Sequence, residues 1–293
     1  MGAQIIDGKA LAQKMRDQMR EEVVLLKTRT GQVPGLATVV VGNDPASHVY
    51  VNSKIRSCKE VGINAFDRWL PHEATLAVLL DLLNQLAQDS LVHGILVQMP
   101  LPKHIADSEV FTAMPAQKDV DGFSFLNWGR FFKAKNTREL NDVFVPCTPL
   151  GILAMLDSAG ISVDGKLACV VGRSSIVGRP MAHLLTLKNA TVVVCHSHTQ
   201  NMDELTRKAD LIVVAIGKPN FLKEPMIKPG ACVIDVGVNR LSDGMLVGDC
   251  DTKGLMKKAG HISPVPGGVG PMTIAMLLKN TLAAFKRTHL IAS

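Results

Sequence analysis

Apolar residues along the chain fall into short runs separated by amphipathic stretches of helical length. Residues 35–42 and 93–98 are predominantly apolar, which is typical of strands buried on both faces of a parallel sheet. Asp44 and Pro45 predict the start of a helix and Gly62 its end, because proline fits the first turn and glycine fits the C-cap. The helices predicted in this half span residues 13–26, 44–62 and 75–88. This alternation of strand and helix favours a parallel sheet.

A second series of strands and helices begins near Thr148. Its predicted strands span residues 166–171, 191–195, 211–215 and 232–236, and its predicted helices begin at Pro180 and span residues 202–208 and 271–286. Three of these strands end at Gly172, His196 and Gly217. Ligands of open α/β sheets bind at the carboxyl ends of strands, so these residues mark a candidate crevice. The polar stretch 133–145 lacks apolar periodicity and predicts a surface loop.

The predicted fold class is α/β with two domains, since 293 residues exceed the length of most single domains. The first domain is predicted over residues 1–147 and is completed by a C-terminal helix within residues 271–293. The second domain is predicted over residues 148–270 and is Rossmann-like. We expect each domain to hold a mostly parallel sheet with flanking helices, and a cleft to lie between the domains.

Composition excludes several classes of protein. Hydrophobic residues make up 47% and charged residues 20%, as in globular proteins. The net charge of +6 is spread thinly and aromatic residues make up 4%, whereas nucleic-acid binders more often show a basic stripe with stacking aromatics. No run approaches the roughly 20 apolar residues of a membrane span, and the N-terminal residues do not resemble a secretory signal. The six cysteines form no CxxC pair, so we expect no metal site and reduced thiols in the cytoplasm.

A glycine-rich turn, Gly172-Arg-Ser-Ser-Ile-Val-Gly178, follows the predicted strand 166–171. Glycines let the backbone approach a phosphate, and the helix that follows offers free amides and a positive dipole end. Ser174 replaces the usual second glycine, and similar turns occur in sheets that bind no nucleotide. Taken alone, the turn fits a dinucleotide site and a plain structural turn equally well.

The end of the next strand bears on the choice of dinucleotide. Folds that prefer NAD usually hold the ribose 2′-hydroxyl with an acidic residue at this point. Val194-Cys-His-Ser-His-Thr199 contains no carboxylate, while Arg173 and Ser197 could hold a 2′-phosphate, which favours NADP. The alternative is that Ser197 only caps a turn.

Tyr50 and Lys54 stand four residues apart on a predicted helix, so they share one face. A tyrosine there could stack on a flat substrate while the ammonium reaches the reactive bond. Tyr50 is the single tyrosine of the chain. On this pair alone, a solvated helix face is the preferred interpretation.

Three further segments place polar or conformationally restricted residues near strand ends and turns. Gln98 ends a predicted strand before two prolines, where it could face a crevice or satisfy loop backbone. Asp121 follows Asp119 and precedes Gly122, and its carboxylate could accept two N–H donors from a heterocycle, although Asp-Gly is also a common turn. Residues 264–273 hold three glycines and three prolines, which predicts a rigid loop that approaches a ligand closely.

Six ordered segments of this chain resemble one family. They are Tyr50-Val-Asn-Ser-Lys54, Val97-Gln-Met-Pro-Leu-Pro102, Lys118-Asp-Val-Asp-Gly122, Pro146-Cys-Thr-Pro149, Gly172-Arg-Ser-Ser-Ile-Val-Gly-Arg-Pro180 and Pro266-Gly-Gly-Val-Gly-Pro-Met-Thr273. On these segments the chain resembles the bifunctional methylenetetrahydrofolate dehydrogenase/methenyltetrahydrofolate cyclohydrolase family over essentially its whole length. Six blocks in the right order are specific, so the resemblance outweighs the blander interpretation of each motif alone.

The resemblance implies two reactions and a bacterial-type bifunctional enzyme of one-carbon metabolism. NADP+ would take a hydride from 5,10-methylenetetrahydrofolate to give 5,10-methenyltetrahydrofolate, and water would open that cation to 10-formyltetrahydrofolate. The family implies a homodimer joined through the cofactor domains, with a folate-derived small molecule as substrate and no nucleic-acid or membrane partner.

The resemblance also assigns roles to residues. Lys54 is implied as the main catalytic group, Gln98 as the residue that positions and tunes it, Tyr50 as the residue that stacks on folate, and Asp121 as the anchor of the pterin. The other substrate-binding positions that it implies are Val97, Met99, Gly268, Pro271 and Thr273. The implied cofactor-binding positions are Gly172, Arg173, Ser174, Ile176, Ser197 and Val238.

The chain departs from the family pattern at one of these positions and at the residue after Ser197. Met99 stands where leucine is common, a volume-conserving change. His198 stands where lysine or arginine is common, which weakens the expected hold on a 2′-phosphate. Two alternative functions differ in the residues that they require. A monofunctional dehydrogenase would lack the Lys54 and Gln98 pair, and a regulatory protein that only binds folate or nucleotide would not need the lysine.

Overall fold

The computed structural model describes residues 2–291, except for the side chains of residues 45–47. The chain forms two compact units. Unit 1 comprises Met1–Ala12, Ala134–Asn141 and Thr148–Thr273, and unit 2 comprises Gln13–Lys133, Asp142–Cys147 and Ile274–Ser293. Each unit contains a parallel sheet with helices, which confirms the predicted α/β class.

Strands and helices alternate along most of the described chain. The strands are β1 Gln4–Ile5, β2 Gly35–Val41, β3 Asn64–Leu70, β4 Gly94–Val97, β5 Leu167–Val171, β6 Thr191–Cys195, β7 Leu211–Val214, β8 Cys232–Asp235, β9 Asn239–Arg240, β10 Leu246–Val247 and β11 His261–Ile262. The α-helices are α1 Gly8–Thr30, α2 Pro45–Val61, α3 Leu76–Gln88, α4 Asp107–Ala113, α5 Phe125–Lys133, α6 Cys147–Ser158, α7 Gly178–Leu187, α8 Met202–Lys208, α9 Thr252–Leu255 and α10 Val269–Thr288. Short 3-10 helices span Thr137–Leu140 and Glu224–Met226.

The sheet of unit 2 has three parallel strands in the order β3-β2-β4. The central strand β2 is buried along its whole length, as its apolar sequence predicts. Thr75 caps α3 by accepting a hydrogen bond from the N–H of Val78 at 3.4 Å, and Leu79, Leu83 and Leu86 of that helix pack into the core. The strands therefore lie in an order that reverses at β2, with β3 on one side and β4 on the other.

Unit 1 contains a six-stranded sheet in the order β1-β11-β8-β7-β5-β6, and all its pairings are parallel. A separate two-stranded antiparallel sheet, β9-β10, follows β8 in the sequence. The order reverses at β5, because β6 lies on one side of it and β7 on the other. This arrangement of β5, β6 and β7 is Rossmann-like, and the reversal marks the switch point where such sheets bind ligands.

The structure adds elements that the sequence pattern did not predict. Strand β3 is one of them. Asp67 and Arg68 interrupt its apolar residues, and the sheet tolerates them because β3 is an edge strand that is only partly buried. Residues 1–12 belong to unit 1, where β1 pairs with β11, although the predicted first domain included them. The predicted surface loop 133–145 holds a 3-10 helix and ends in the buried Phe144 and Val145. Among the described residues, no helix combines the length and the hydrophobicity needed to span a lipid bilayer.

Candidate active site

Lys54 and Gln98 meet at the switch point of the unit 2 sheet. Helix α2 follows β2 and carries Lys54, and Gln98 follows β4, the strand beside β2. The Lys54 Nζ donates a hydrogen bond to Gln98 Oε1 at 2.7 Å. This contact is consistent with the role that the resemblance implies for Gln98, which is to position Lys54, and it lies where crevices in α/β sheets open.

The amide of Gln98 is held in one orientation from its other side. Its Nε2 donates to the carbonyl of Met99 at 2.7 Å, so its Oε1 is left to accept from Lys54. The main-chain N–H of Gln98 donates to the carbonyl of Val39 at 2.8 Å and continues the pairing of β4 with β2. The buried Val97 ends β4 directly before it. Gln98 thus presents a fixed acceptor to the lysine.

Asp121 is the third group of this site. Burial lowers the pKa of Lys54, and the nearby Asp121 opposes that change. Burial likewise raises the pKa of Asp121 to about 6, and Lys54 opposes that change. Both pKa shifts favour the uncharged forms of the two side chains, so the loss of solvation outweighs their mutual attraction. A lysine in this setting can exchange a proton with a bound substrate more readily than a solvated one.

Asp119 and Asp121 have different surroundings, although the sequence places them in one motif. Asp119 is buried and accepts hydrogen bonds from the N–H groups of Phe123 and Ser124 and from Asn127 Nδ2, at 3.1, 2.8 and 2.8 Å. It therefore fixes the turn before α5. Asp121 is only partly buried and accepts from the N–H of Cys147 at 3.4 Å, so it keeps acceptor capacity for a ligand.

Tyr50 precedes Lys54 by one turn of α2 and keeps 41% of its surface exposed. An exposed phenol ring on the lysine face is available for stacking on a flat substrate. Met99 is partly buried, and the peptide bond that follows it is cis. Unit 2 thus brings together Tyr50, Lys54, Gln98 and Asp121, with Val97 and Met99 beside Gln98.

The predicted dinucleotide turn lies at the switch point of unit 1. Gly172 follows β5 with φ +128°, a backbone conformation that favours glycine, and a side chain there would collide with the carbonyl of Ala215. A side chain at Gly178 would collide with the carbonyl of Gly172. Ser174 Oγ accepts from the N–H groups of Val177 and Gly178 at 3.1 and 3.3 Å and so holds the turn that leads into α7. Arg173 and Ser174 are exposed and Ile176 is half-buried, so the turn offers a close-packed cradle with a cation at its rim.

Ser197 lies in the turn after β6, and its side chain is exposed. This turn is closed by other residues: Thr199 N–H donates to the carbonyl of His196 at 2.8 Å, and His196 N–H donates to Thr199 Oγ1 at 2.9 Å. The N–H of His198 donates to His196 Nδ1 at 3.2 Å. Thr199 therefore caps this turn, which is the alternative role that the sequence left open for Ser197.

The remaining predicted positions lie in unit 1. Gly268 is buried, and a side chain there would meet the carbonyl of Pro264 at 2.5 Å. Pro271 and Thr273 lie in the first turns of α10, where Thr273 Oγ1 is 3.0 Å from Thr148 Oγ1. Val238 follows β8 and is 46% exposed. Within residues 2–291, no group of three or more His, Cys, Asp or Glu side chains is arranged to hold a metal ion.

The sequence motifs do not single out Asp235 and Asp249, two buried carboxylates of unit 1. Both are fully buried. Burial raises the pKa of Asp235 to about 6, while N–H donors from Asp249, Cys250 and Gly237 lower it. The available signal was an acidic residue closing the apolar strand Cys232–Asp235, followed by Gly237.

Two family models match this chain. Residues 6–121 match the catalytic domain of tetrahydrofolate dehydrogenase/cyclohydrolase, and residues 146–289 match its NAD(P)-binding domain. The chain belongs to the tetrahydrofolate dehydrogenase/cyclohydrolase family. The resemblance read from the six sequence segments is therefore confirmed, as is the enzyme class that it implies.

Individual members of the tetrahydrofolate dehydrogenase/cyclohydrolase family match over nearly the full length. The bifunctional protein FolD of Acetivibrio thermocellus is 50% identical over 98% of this chain and 98% of its own. The crystal structure of the bifunctional FolD enzyme of Campylobacter jejuni is 45% identical, with a TM-score of 0.92, and covers 97% of this chain and 99% of its own. The Trypanosoma brucei enzyme, solved with NADP cofactor and an inhibitor, is 38% identical, with a TM-score of 0.94 and 99% coverage of both chains.

Proposed function

We propose that this chain oxidises 5,10-methylenetetrahydrofolate with NADP+ and hydrolyses the resulting 5,10-methenyltetrahydrofolate to 10-formyltetrahydrofolate. The observation that carries the proposal is the 2.7 Å hydrogen bond from Lys54 to Gln98, beside Asp121, in a unit that matches the family's catalytic domain. Residues 1–147 with 271–293 would bind folate, and residues 148–270 would bind NADP.

The folate-binding roles follow from the surroundings of each side chain. Tyr50 would stack on the pterin, because its ring is exposed on the lysine face of α2. Asp121 would anchor the pterin through paired N–H donors, because an ionised carboxylate accepts two such bonds. Val97 and Met99 would line the site next to Gln98. Gly268, Pro271 and Thr273 would border the folate from the loop before α10 and its first turns.

The cofactor roles rest on the shape of the turn after β5. The close packing at Gly172 and Gly178 shapes this turn, in which Arg173 and Ser174 are exposed and Ile176 is half-buried. Ser197 and Arg173 would hold the 2′-phosphate, and Val238 would contact the cofactor beyond β8. This arrangement supports NADP over NAD, because β6 ends without the carboxylate that a free 2′-hydroxyl calls for. When bound, the nicotinamide would accept a hydride from the bridge carbon.

The hydrolysis depends on groups of the protein. Water adds to the methenyl carbon and loses its first proton, which leaves a hydroxyl on that carbon. N5 then takes up a proton as its bond to the carbon breaks, and the hydroxyl loses its proton to solvent as the formyl C=O forms, so one proton is released overall. Lys54, with a pKa lowered by burial, would accept the first proton and return one to N5. Gln98 would hold the amine at the reacting carbon through its fixed Oε1. Hydride transfer itself needs alignment and no acid or base.

The test is a single mixture of the protein, methylenetetrahydrofolate and NADP+, in which NADPH and the methenyl product are followed by their separate absorbance. NADPH without lasting methenyl accumulation supports both activities. Lasting methenyl accumulation would indicate a dehydrogenase alone, and no NADPH would indicate a binding protein. Lys54→Met should lower the cyclohydrolase rate by about 100- to 10,000-fold and leave NADP binding intact. Lys59→Met, at an exposed lysine of the same helix, is the matched control.

We also infer a homodimer in the cytoplasm. Strand β6 is an edge of the unit 1 sheet, and its Val194 is 37% exposed, so its free backbone groups can pair with those of a second copy. The opposite edge strand, β1, has only two residues. All six cysteines are free, which supports a reducing compartment. Sedimentation of the protein and of Val194→Lys tests the dimer, since a charge on the edge should shift the variant to monomer.

A further inference from the structure

Asp235 and Asp249 form a buried pair at the carboxyl edge of the unit 1 sheet. Asp235 is the last residue of β8, and both side chains are fully buried. Asp235 Oδ1 accepts from the N–H of Asp249 at 2.9 Å, and its Oδ2 accepts from the N–H of Cys250 at 2.9 Å. Its main-chain N–H donates to Ser263 Oγ at 2.8 Å. Asp235 therefore fixes the segment that carries Asp249.

Asp249 in turn holds two loops. Its Oδ2 accepts from the N–H groups of Ile216 and Gly217, at 2.7 and 2.9 Å, in the loop after β7. Its Oδ1 accepts from Asn239 Nδ2 at 2.9 Å, in the residue next to Val238. Three donors thus converge on the carboxylate of Asp249, which accepts at both of its oxygens.

The glycines next to the pair leave room for it. A side chain at Gly237 would collide with the carboxylate of Asp249, and a side chain at Gly248 would collide with that of Asp235. Gly237 N–H also donates to Asp235 Oδ1 at 3.0 Å. The backbone after β8 is therefore shaped around the two carboxylates and follows their position.

The loops that Asp249 holds lie where a parallel sheet binds its ligand. They follow β7 and β8, and β7 adjoins β5 at the switch point. Gly172, at the start of the dinucleotide turn, packs so closely on the carbonyl of Ala215 that a side chain would not fit. A displacement of Ile216 and Gly217 would therefore reach the dinucleotide turn through Ala215.

We propose that Asp249, oriented by Asp235, is a positioning residue that holds residues 216–217 and the loop bearing Val238 in the conformation that binds NADP. This inference rests on the proposed function, because it concerns the cofactor site of that enzyme. Asparagine at position 249 has the same shape but only one oxygen, so at least one of the three donors loses its acceptor.

The test compares Asp249→Asn with the parent protein. The measured quantities are the Kd of NADP+, the KM and kcat of the dehydrogenase, and the rate of hydrolysis of preformed methenyltetrahydrofolate. We expect the Kd and KM of NADP+ to rise about tenfold, because at least one of the three donors loses its acceptor. The hydrolysis rate should persist, since Lys54, Gln98 and Asp121 belong to unit 2.

Two further variants separate positioning from stability. Asp210→Asn removes a carboxylate at the amino end of β7, where it accepts from the N–H of Leu167 at 2.9 Å and from Lys228 Nζ at 2.6 Å. It is the matched control and should leave the Kd of NADP+ unchanged. Asn239→Ala removes a single donor to Asp249 and should raise that Kd about threefold.

Each outcome decides the inference. Selective weakening of NADP binding in Asp249→Asn and Asn239→Ala supports it. Unchanged Kd in a folded Asp249→Asn overturns it, and so does equal weakening in Asp210→Asn. If Asp249→Asn does not fold, the Kd of NADP+ for Asn239→Ala decides: a raised Kd supports the inference and an unchanged Kd overturns it. A parent protein that binds no NADP would instead refute the proposed function, which keeps the two failures distinct.

Discussion

Gln98→Glu is the substitution that most directly tests how Lys54 is tuned. In the parent, Gln98 Oε1 accepts from Lys54 Nζ at 2.7 Å, and burial lowers the pKa of the amine. Glutamate keeps the shape and the contact with Lys54, loses the hydrogen bond that Gln98 Nε2 donates to the Met99 carbonyl, and replaces a neutral acceptor with a negative charge. The ammonium form of Lys54 is thereby stabilised, so its pKa rises.

The size of the effect follows from the contact distance. With an effective dielectric constant of about 20, Coulomb's law gives roughly 6 kcal/mol for two unit charges 2.7 Å apart. Loss of solvation by the new carboxylate removes much of this, and opposite charges at such range typically shift a pKa by about 1–3 units. Below that pKa, the fraction of neutral Lys54 would fall by about 10- to 1,000-fold.

The assay is the pH dependence of methenyltetrahydrofolate hydrolysis. If neutral Lys54 is the base, the rate rises with pH up to the pKa of the amine, and Gln98→Glu moves that rise to higher pH. The pH profile of the dehydrogenase reaction should not shift, because hydride transfer needs no base. Gln98→Met, of similar volume and uncharged, should lower the hydrolysis rate without moving the profile. Coincident profiles for the parent and Gln98→Glu would show that the charge state of Lys54 does not govern the reaction.

Four other predictions concern the cofactor turn, the folate anchor and two glycines of unit 2. Arg173→Ala should weaken NADP by about 10- to 100-fold and NAD far less, and equal losses in the two Kd values would contradict the 2′-phosphate assignment. The KM of the folate substrate should rise as the pH falls through about 6, because protonated Asp121 no longer accepts paired N–H donors, and Asp121→Asn should abolish that dependence in initial-rate measurements. Gly94→Ala should lower the free energy of unfolding in urea by about 1–3 kcal/mol, since a Cβ would lie 2.8 Å from Val120 Cγ1. Gly129→Ala, in α5 with no described atom within 4 Å of the added carbon, should raise it by about 0.5–1 kcal/mol.

The sequence pattern predicts the interior of the fold better than its edges. Strand β2 is buried throughout and leaves a continuous apolar run in the sequence, and helix α3 carries one apolar face and leaves a helical period. Strand β3 lies at the edge of its sheet and tolerates Asp67 and Arg68, so its pattern does not separate it from a loop.

The sequence predicts some residues of the candidate site and not others, depending on whether a local pattern records their contacts. Lys54 and Gln98 follow strands that adjoin in space, and the rule that crevices open at strand ends connects them once the sheet is drawn. By spacing alone, Tyr50 and Lys54 fitted a solvated face better, and the resemblance to a family was needed to single them out. Asp235 and Asp249 take their partners from backbone N–H groups of distant loops, a relation that no local pattern records.

Asn280 of α10 donates from its Nδ2 to the carbonyl of Val120 at 2.8 Å, directly before Asp121. Val120 and Asn280 are separated by 160 positions in the sequence. During synthesis on the ribosome, the turn that carries Asp121 therefore cannot gain this support until α10 has been made. A nascent chain should acquire its affinity for folate only after α10 has left the ribosome.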